Sequence, residues 1–404
     1  MFENIPTSPV DPIFQVMARF KADTRQDKVD LGIGILRNSD GDTPVMTAVK
    51  QAEQWLQRYE ASKAYLGPAG SQEFTDAIRQ LLYPTCALSP QLAAIQTPGG
   101  TAALRVAGDL LNFLKPGSRM WLSDPPWVTH RAIFPAAGLK LAEYRYLAEH
   151  CGALDFEAML SDLNKVAPGD AVLLQVAGHN PSGCDLTPAQ WHQVCHTLAD
   201  RKALPVLDLA YHGLADTLEK DQKPLEIVAN YHDEWIACYS CSKTFGLYND
   251  RTGALLIHCA TTALTKRVYQ EALNRICGNY YMPPNHGAAV VSTILSSTEL
   301  HSLWQMELSS NQRRISRQRE QLVQRMEAMH PGHFKHLLQQ QGLFSYLNLT
   351  EEQLQQLADD YGIYLGAGGR INISGLNRGN LDHVSTAIAD VCGDIELPPL
   401  AAGH

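Results

Sequence analysis

The residues best equipped for chemistry lie in the stretch Tyr239-Ser240-Cys241-Ser242-Lys243-Thr244-Phe245-Gly246-Leu247-Tyr248-Asn249-Asp250-Arg251. One apolar run, Trp235-Ile236-Ala237-Cys238, precedes it and another, Ala254-Leu255-Leu256-Ile257, follows it, so Lys243 sits where a strand ends. Small hydroxyl residues flank the lysine, and Arg251 follows. A Schiff-base lysine beside a phosphate asks for this arrangement. The amine must lose its proton to attack an aldehyde, and the anion must be held by charge-assisted hydrogen bonds. Ser-x-x-Lys alone also describes a solvated loop lysine, so the weight rests on what the other elements bring to the same place.

Four more strand-like runs end in residues of the same kind. Ala93-Ala94-Ile95-Gln96 leads into Thr97-Pro98-Gly99-Gly100-Thr101 and then a helical pattern through Leu104, Leu110, Leu111 and Leu114. Strand, Gly-Gly-Thr and helix form an anion site by geometry, with free N–H groups at a helix N-terminus and a hydroxyl donor. It would equally suit a dinucleotide or a nucleoside triphosphate, but no G-x-G-x-x-G or Walker lysine accompanies it. Met120-Trp121-Leu122-Ser123 delivers Trp127 and His130, Ala171 to Val176 delivers His179-Asn180-Pro181, and Leu204-Pro205-Val206-Leu207 delivers Asp208 and Tyr211. In α/β sheets ligands bind beyond the carboxyl ends of parallel strands, and each run here places a candidate there.

The chain that must position these groups has 404 residues, long enough for a large domain and a smaller one, each with its own core. Apolar residues at 45% and charged ones at 19% suit a soluble globular protein, and no run approaches the ~20 apolar residues that cross a bilayer. The N-terminus lacks the basic and apolar regions of a signal peptide, so a cytoplasmic location is expected. A net charge of -9 argues against nucleic acid or an anionic membrane as the main partner. Nine scattered cysteines form no disulfide framework. Cys238 and Cys241 make a C-x-x-C, but positions i and i+3 of a strand face opposite ways and no second pair completes a zinc site, so no metal is expected.

The Lys243 segment closely resembles the pyridoxal-phosphate lysine segment of class I aminotransferases, the aspartate and aromatic amino acid transaminases. The resemblance runs from Met1-Phe2-Glu3-Asn4 to about Val391. It implies the α/β architecture of fold type I pyridoxal-phosphate enzymes: a large domain at 44–310 with a mostly parallel seven-stranded sheet, and a smaller α+β domain from the first part of the chain (1–43) and 311–404. It also implies a homodimer with active sites at the interface and an N-terminal arm, rich in Pro6, Pro9 and Pro12, that crosses to the other subunit. Pyridoxal 5'-phosphate needs an imine-forming lysine, a carboxylate on its ring nitrogen, donors to its phenolate, a flat group over its ring and a phosphate cup. Lys243, Asp208, Asn180 with Tyr211, Trp127, and Gly99-Gly100-Thr101 with Ser240 and Arg251 match those roles. Singly, Asp208 could cap a helix, Trp127 pack a core and Asn180 precede a turn proline. By resemblance, His130 bonds the ring-nitrogen aspartate, while the role of His179 stays open. Also by resemblance, Tyr65, in Tyr65-Leu66-Gly67-Pro68, reaches the phosphate of the other subunit, and Gly34, in Leu31-Gly32-Ile33-Gly34-Ile35, lines the substrate pocket; that segment reads as a short strand.

Arg370, in Gly369-Arg370-Ile371-Asn372-Ile373-Ser374, opens an apolar strand, where an unpaired guanidinium would be costly. The family places its α-carboxylate clamp there. The substrates expected are an amino acid and a 2-oxo acid, although the same constellation also serves lyase, decarboxylase and oxidase chemistry. One departure bears on the side chain. Relatives acting on aspartate carry an arginine in Ile-Arg-x-Asn-Tyr, supplied by the partner subunit, where this chain has Ile276-Cys277-Gly278-Asn279-Tyr280. Cys277 cannot pair with a distal carboxylate. Arg275 points nearly the opposite way on a helix, and Arg37 is a candidate replacement. An aromatic or other uncharged amino donor is therefore expected first, a cationic one second and aspartate third. Beyond the site, a helical stretch from His286 to Met329 is expected to break near Ser309-Ser310, with a strand at Leu343–Leu347, a helix at Glu351–Tyr361 and a strand at Arg370–Ile373 to follow.

Overall fold

The structure, a computed structural model, describes residues 2, 12–148 and 152–393. The expected N-terminal arm lies mostly outside the described residues. Near the N-terminus β1 (Val29–Asp30) is a short strand. Seven longer strands follow: β2 (Leu92–Pro98), β3 (Arg119–Asp124), β4 (Lys140–Arg145), β5 (Ala171–Gln175), β6 (Leu204–Leu209), β7 (Trp235–Ser240) and β8 (Thr252–His258). They form one sheet in the order β2-β8-β7-β6-β5-β3-β4. β8 runs antiparallel to both its neighbours, and every other pair in the sheet is parallel.

Composition explains the layering. The residues of β7 are buried throughout, as a central strand covered on both faces requires. Ile236 and Cys238 pack with Leu104, Val106 and Ala272 on one side, while Ala237 and Tyr239 pack with Trp191, Leu225 and Val291 on the other. The outer strand β4 carries Lys140, Glu143 and Arg145 exposed, which blunts an open sheet edge. No apolar run marked that strand in the sequence. The helices Gly99–Leu114 and Thr262–Asn279 cover the first face, and Pro188–Arg201, Leu218–Tyr231 and His286–Ser296 the second.

The remainder uses two small sheets. β1 pairs in parallel with β10 (Ile363–Tyr364), and β9 (Phe344–Tyr346) pairs antiparallel with β11 (Arg370–Asn372). The helix Glu351–Tyr361 begins with a Thr350/Gln353 capping box and ends at Gly362, whose φ of 69° satisfies the last carbonyls from the left-handed region.

Two expectations need correction. The helical stretch does not break at Ser309-Ser310; the helix Thr298–Met329 runs through it, because Trp304, Leu308, Ile315, Leu322 and Met326 keep one buried stripe across the polar centre. The break is at Ser297, which ends the helix His286–Ser296 and caps the next by accepting from Leu300 N at 3.2 Å. Nor is Leu31–Ile35 a strand: pairing stops at Asp30, and the following backbone instead receives the side chain of Asn372, whose Nδ2 donates to Ile33 O and Ile35 O, each at 2.7 Å. Among the described residues no helix is long and apolar enough to cross a membrane.

Candidate active site

At the carboxyl ends of the parallel strands lies a cavity of about 260 Å³. β8 enters the sheet inverted, so the residue preceding it, Arg251, arrives at the same edge as the residues that follow β2, β6 and β7. Gly34, Gly100, Thr101, Trp127, Asn180, Asp208, Tyr211, Ser240, Lys243, Arg251 and Arg370 all line it.

Lys243 rides a short helical turn, Cys241–Thr244, that Ser240 caps by accepting from Ser242 N at 3.3 Å. Its ammonium lies 5.0 Å from the centre of the Tyr211 ring. Loss of hydration pushes the Lys243 pKa down to about 8, with Arg251 and Arg370 adding to the fall and Asp208 opposing it. An amine so tuned is available both as a nucleophile toward an aldehyde and as a base.

The anion cradle is close-packed. A Cβ on Gly99 would come within 2.5 Å of Arg251 Nη2, and one on Gly100 within 2.9 Å of Ser240 Cβ, so both glycines are needed for the backbone N–H groups of this helix start to face the guanidinium and hydroxyl. Arg251 is aimed by Nη1, which donates to Ser242 Oγ at 3.3 Å and Tyr248 O at 3.0 Å. Across the cavity Asp208, only 6% exposed, meets His130 Nε2 through Oδ2 at 3.0 Å. Trp127 packs edge-on against His130, ring centres 5.1 Å apart.

Asn180 Nδ2 donates to Tyr211 Oη at 3.3 Å, and Asn180 Oδ1 accepts from Arg370 Nη1 at 2.9 Å. Arg370 Nη2 donates to Gly32 O at 2.6 Å, and its guanidinium lies 4.4 Å from the Phe344 ring centre. His179, left open by the sequence, has both ring nitrogens engaged, Nδ1 with Ser182 Oγ at 2.8 Å and Nε2 with Ser123 Oγ at 3.0 Å, and stacks on Tyr146 at 4.1 Å. Burial drives its pKa down to about 3, so it is a neutral brace beneath the Asn180 loop.

Three expected residues are not among those lining the cavity of the single chain: Gly99, which packs behind the lining against Arg251, and Tyr65 and Cys277, which lie apart from it. Tyr65 is 84% exposed, and its ring meets Tyr281 edge-on at 6.5 Å. Cys277 is exposed on the helix Thr262–Asn279. The two candidate replacement arginines are engaged elsewhere: Arg37 Nη2 bonds Asp30 Oδ2 at 2.8 Å, while Arg275 pairs with Glu271 and covers the ring of Phe113. The cysteines of the described residues are free thiols, Cys238 and Cys241 among them, and no group of three or more possible metal ligands occurs among those residues.

A family model described as aminotransferase class I and II matches residues 26–388. The chain belongs to that family. It is 40% identical over 395 residues to the aspartate aminotransferase of Escherichia coli K12, covering 97% of this chain and all of that one. It is equally 40% identical, over 401 residues, to the aromatic-amino-acid aminotransferase of Pseudomonas aeruginosa, covering 97% of this chain and 99% of that one. The solved aromatic-amino-acid aminotransferase of Burkholderia pseudomallei, covalently bound to pyridoxal phosphate, superposes with a TM-score of 0.94 at 36% identity, covering 97% of this chain and 99% of that one.

The chain is thus a pyridoxal-phosphate-dependent aminotransferase acting between an amino acid and a 2-oxo acid, with the fold type I architecture. The cradle that a single Cβ would fill, the lysine pushed down to about 8 and the buried Asp208–His130 pair fit that cofactor. When bound, pyridoxal phosphate supplies an electron sink for the bond broken at the amino acid α-carbon. Sequence reasoning missed several residues that this aminotransferase brings to the cavity. Tyr248 lines it while accepting from Leu36 N at 2.7 Å, and Phe344 and Gln175 line it too. Gln175 was within reach, as the one polar residue inside the run Ala171 to Val176.

Proposed function

We propose that this aminotransferase takes an aromatic or other uncharged amino acid as its preferred donor. Its relatives named for aspartate and for aromatic amino acids stand at the same identity, so the choice rests on a single observation: position 277 is an exposed cysteine, and Arg37 and Arg275 are held by Asp30 and Glu271. Within the cavity Trp127, Tyr211, Tyr248 and Phe344 supply aromatic wall.

In this reading Lys243 carries the cofactor and then moves the proton to and from the α-carbon. Asp208, held by His130, keeps the ring nitrogen protonated. Asn180 and Tyr211 donate to the phenolate and Trp127 covers the ring. Gly99, Gly100, Thr101, Ser240 and Arg251 hold the phosphate, and Arg370 with Asn180 and Gly34 receives the α-carboxylate end of the substrate. Tyr65 and Cys277 belong to the site of a second copy in a homodimer, which is why both are exposed here. The large unit spans 44–310, and the small one joins 1–43 to 311–404; the β1–β10 pairing supports joining the chain's two ends. A cytoplasmic location accords with the reduced thiols.

The test is a half-reaction panel of the twenty amino acids, followed by cofactor absorbance, on the wild type and Cys277→Arg. A charge-assisted hydrogen bond is worth about 1.5–3 kcal/mol and an unpaired desolvated carboxylate costs more, so the wild type should favour uncharged donors over aspartate by about 10² in kcat/KM. The variant should recover most of that factor for aspartate. Aspartate as the best wild-type donor would overturn the reading.

A further inference from the structure

Asn180 stands between two demands: its Oδ1 is committed to Arg370 and its Nδ2 faces Tyr211. A primary amide with its oxygen so committed turns its N–H bonds to the opposite side, so the placement of Asn180 fixes the donor that the cofactor phenolate meets. Yet Asn180 lies in a loop beyond the end of β5, outside any strand pairing. Its backbone N–H and C=O must therefore find partners elsewhere.

Gln175, the last residue of β5, supplies both. Gln175 Nε2 donates to Asn180 O at 2.9 Å, and Gln175 Oε1 accepts from Asn180 N at 2.9 Å. The side-chain amide stands in for a peptide group in a two-bond bridge and closes the loop on itself. Nearby, Asp185 accepts from Gly178 N at 2.7 Å and His179 N at 2.9 Å, so successive backbone groups of the loop are pinned by side chains. In register, Gln175 lies beside Asp208, so the clamp is anchored to the strand that carries the ring-nitrogen carboxylate.

We propose that Gln175 is a positioning residue for this reaction: through both backbone groups of Asn180 it sets the point from which Asn180 serves Arg370 and the cofactor phenolate. The inference rests on the roles assigned above to Lys243, Asn180 and Arg370. Among side chains of this length, only glutamine offers the donor and the acceptor together. Glutamate keeps the acceptor alone and places a second carboxylate beside Asp208, while methionine fills the volume with neither.

The experiment compares wild-type holoenzyme with Gln175→Met and Gln175→Glu. It reads the pH midpoint of the cofactor's visible band, KM and kcat separately for the amino donor, and the denaturation midpoint as a check on folding. With its donor displaced the phenolate holds its proton more tightly, so Gln175→Met should raise the band midpoint by about one pH unit, a tenfold change in proton affinity. KM should rise several-fold as Arg370 loses its aligned partner. Gln175→Glu, which keeps the bond to Asn180 N–H, should leave KM nearer to wild type. A folded Gln175→Met with wild-type band midpoint and KM overturns the proposal, and if that variant does not fold, an unchanged band midpoint in a folded Gln175→Glu, which has lost the bond to Asn180 O, does so. A wild type without a titrating visible band would instead overturn the assignment of Lys243, and this inference with it.

Discussion

Lys243 offers a prediction that can be read before any substrate is added. With its pKa pushed down to about 8, roughly a tenth of the cofactor-free chain carries a free amine at pH 7, against about one in three thousand for an ordinary lysine at 10.5. The unprotonated fraction of Lys243 at pH 7 is thus about 300-fold that of an ordinary lysine, and reductive labelling with a small neutral aldehyde should follow a half-point near pH 8 at Lys243. Peptide mapping assigns the label to its residue. The neighbours set signs for two variants. Arg251 lowers the pKa of Lys243, so Arg251→Gln should move the half-point up, whereas Asp208 raises it, so Asp208→Asn should move it down. A half-point near 10.5 in the wild type would refute the reasoning from desolvation, and shifts of the same sign in both variants would refute the reasoning from the neighbouring charges.

Asp208→Asn should also cut the half-reaction rate by 10² or more, since an electrostatic contact at a site of developing charge contributes about 2.7–4 kcal/mol; single-turnover absorbance measures this, and a loss under tenfold would count against the ring-nitrogen role. Arg251→Ala should weaken pyridoxal phosphate binding by about 10- to 150-fold, from a charge-assisted bond of about 1.5–3 kcal/mol, while leaving binding of phosphate-free pyridoxal nearly unchanged. Equal losses for the two ligands would show that Arg251 does not hold the phosphate. Gly99→Ala puts a methyl 2.5 Å from Arg251 Nη2 at a φ of 78°, and should lower the denaturation free energy of the cofactor-free chain by about 1–2 kcal/mol. A denaturant midpoint equal to wild type would contradict the crowding seen at this turn.

The residues that gather at the cavity were legible because they sit where one kind of element gives way to another, and such junctions leave local marks. Gly99-Gly100-Thr101 follows an apolar run and opens a helical pattern, and Lys243, Asp208 and Asn180 each follow a run rich in β-branched or aliphatic residues. What escaped was decided by tertiary contact. β4 is a strand because β3 lies beside it, and its Lys-Leu-Ala-Glu-Tyr-Arg run marks its buried face only through Ala142 and Tyr144, too short an alternation to read alone. Ser309-Ser310 looks like a break to any local rule, yet the packing of Trp304 and Ile315 to either side carries the helix through. The true break had a local mark that went unread: Ser297 is a capping hydroxyl with Glu299 in the first turn after it. Gln175 lay unmarked inside the run Ala171 to Val176, since nothing in a linear string shows that its amide will face the backbone of Asn180.

The inverted strand has a consequence for the order in which this chain can be assembled. Among the described residues β2 pairs in the sheet with β8 alone, and their paired residues lie about 160 positions apart, a separation of the kind that slows folding through loop closure. The two halves of the anion cradle, Gly99–Thr101 and Arg251, therefore cannot meet until the ribosome has released the chain well past His258. Until then the run Leu92–Pro98 is a strand without the neighbour it has in the sheet, and the proposed phosphate cradle is incomplete. If that cradle holds the phosphate, cofactor loading follows late in synthesis, and a truncation ending before Thr252 should carry an unpaired strand, fail to retain pyridoxal phosphate and be prone to aggregate.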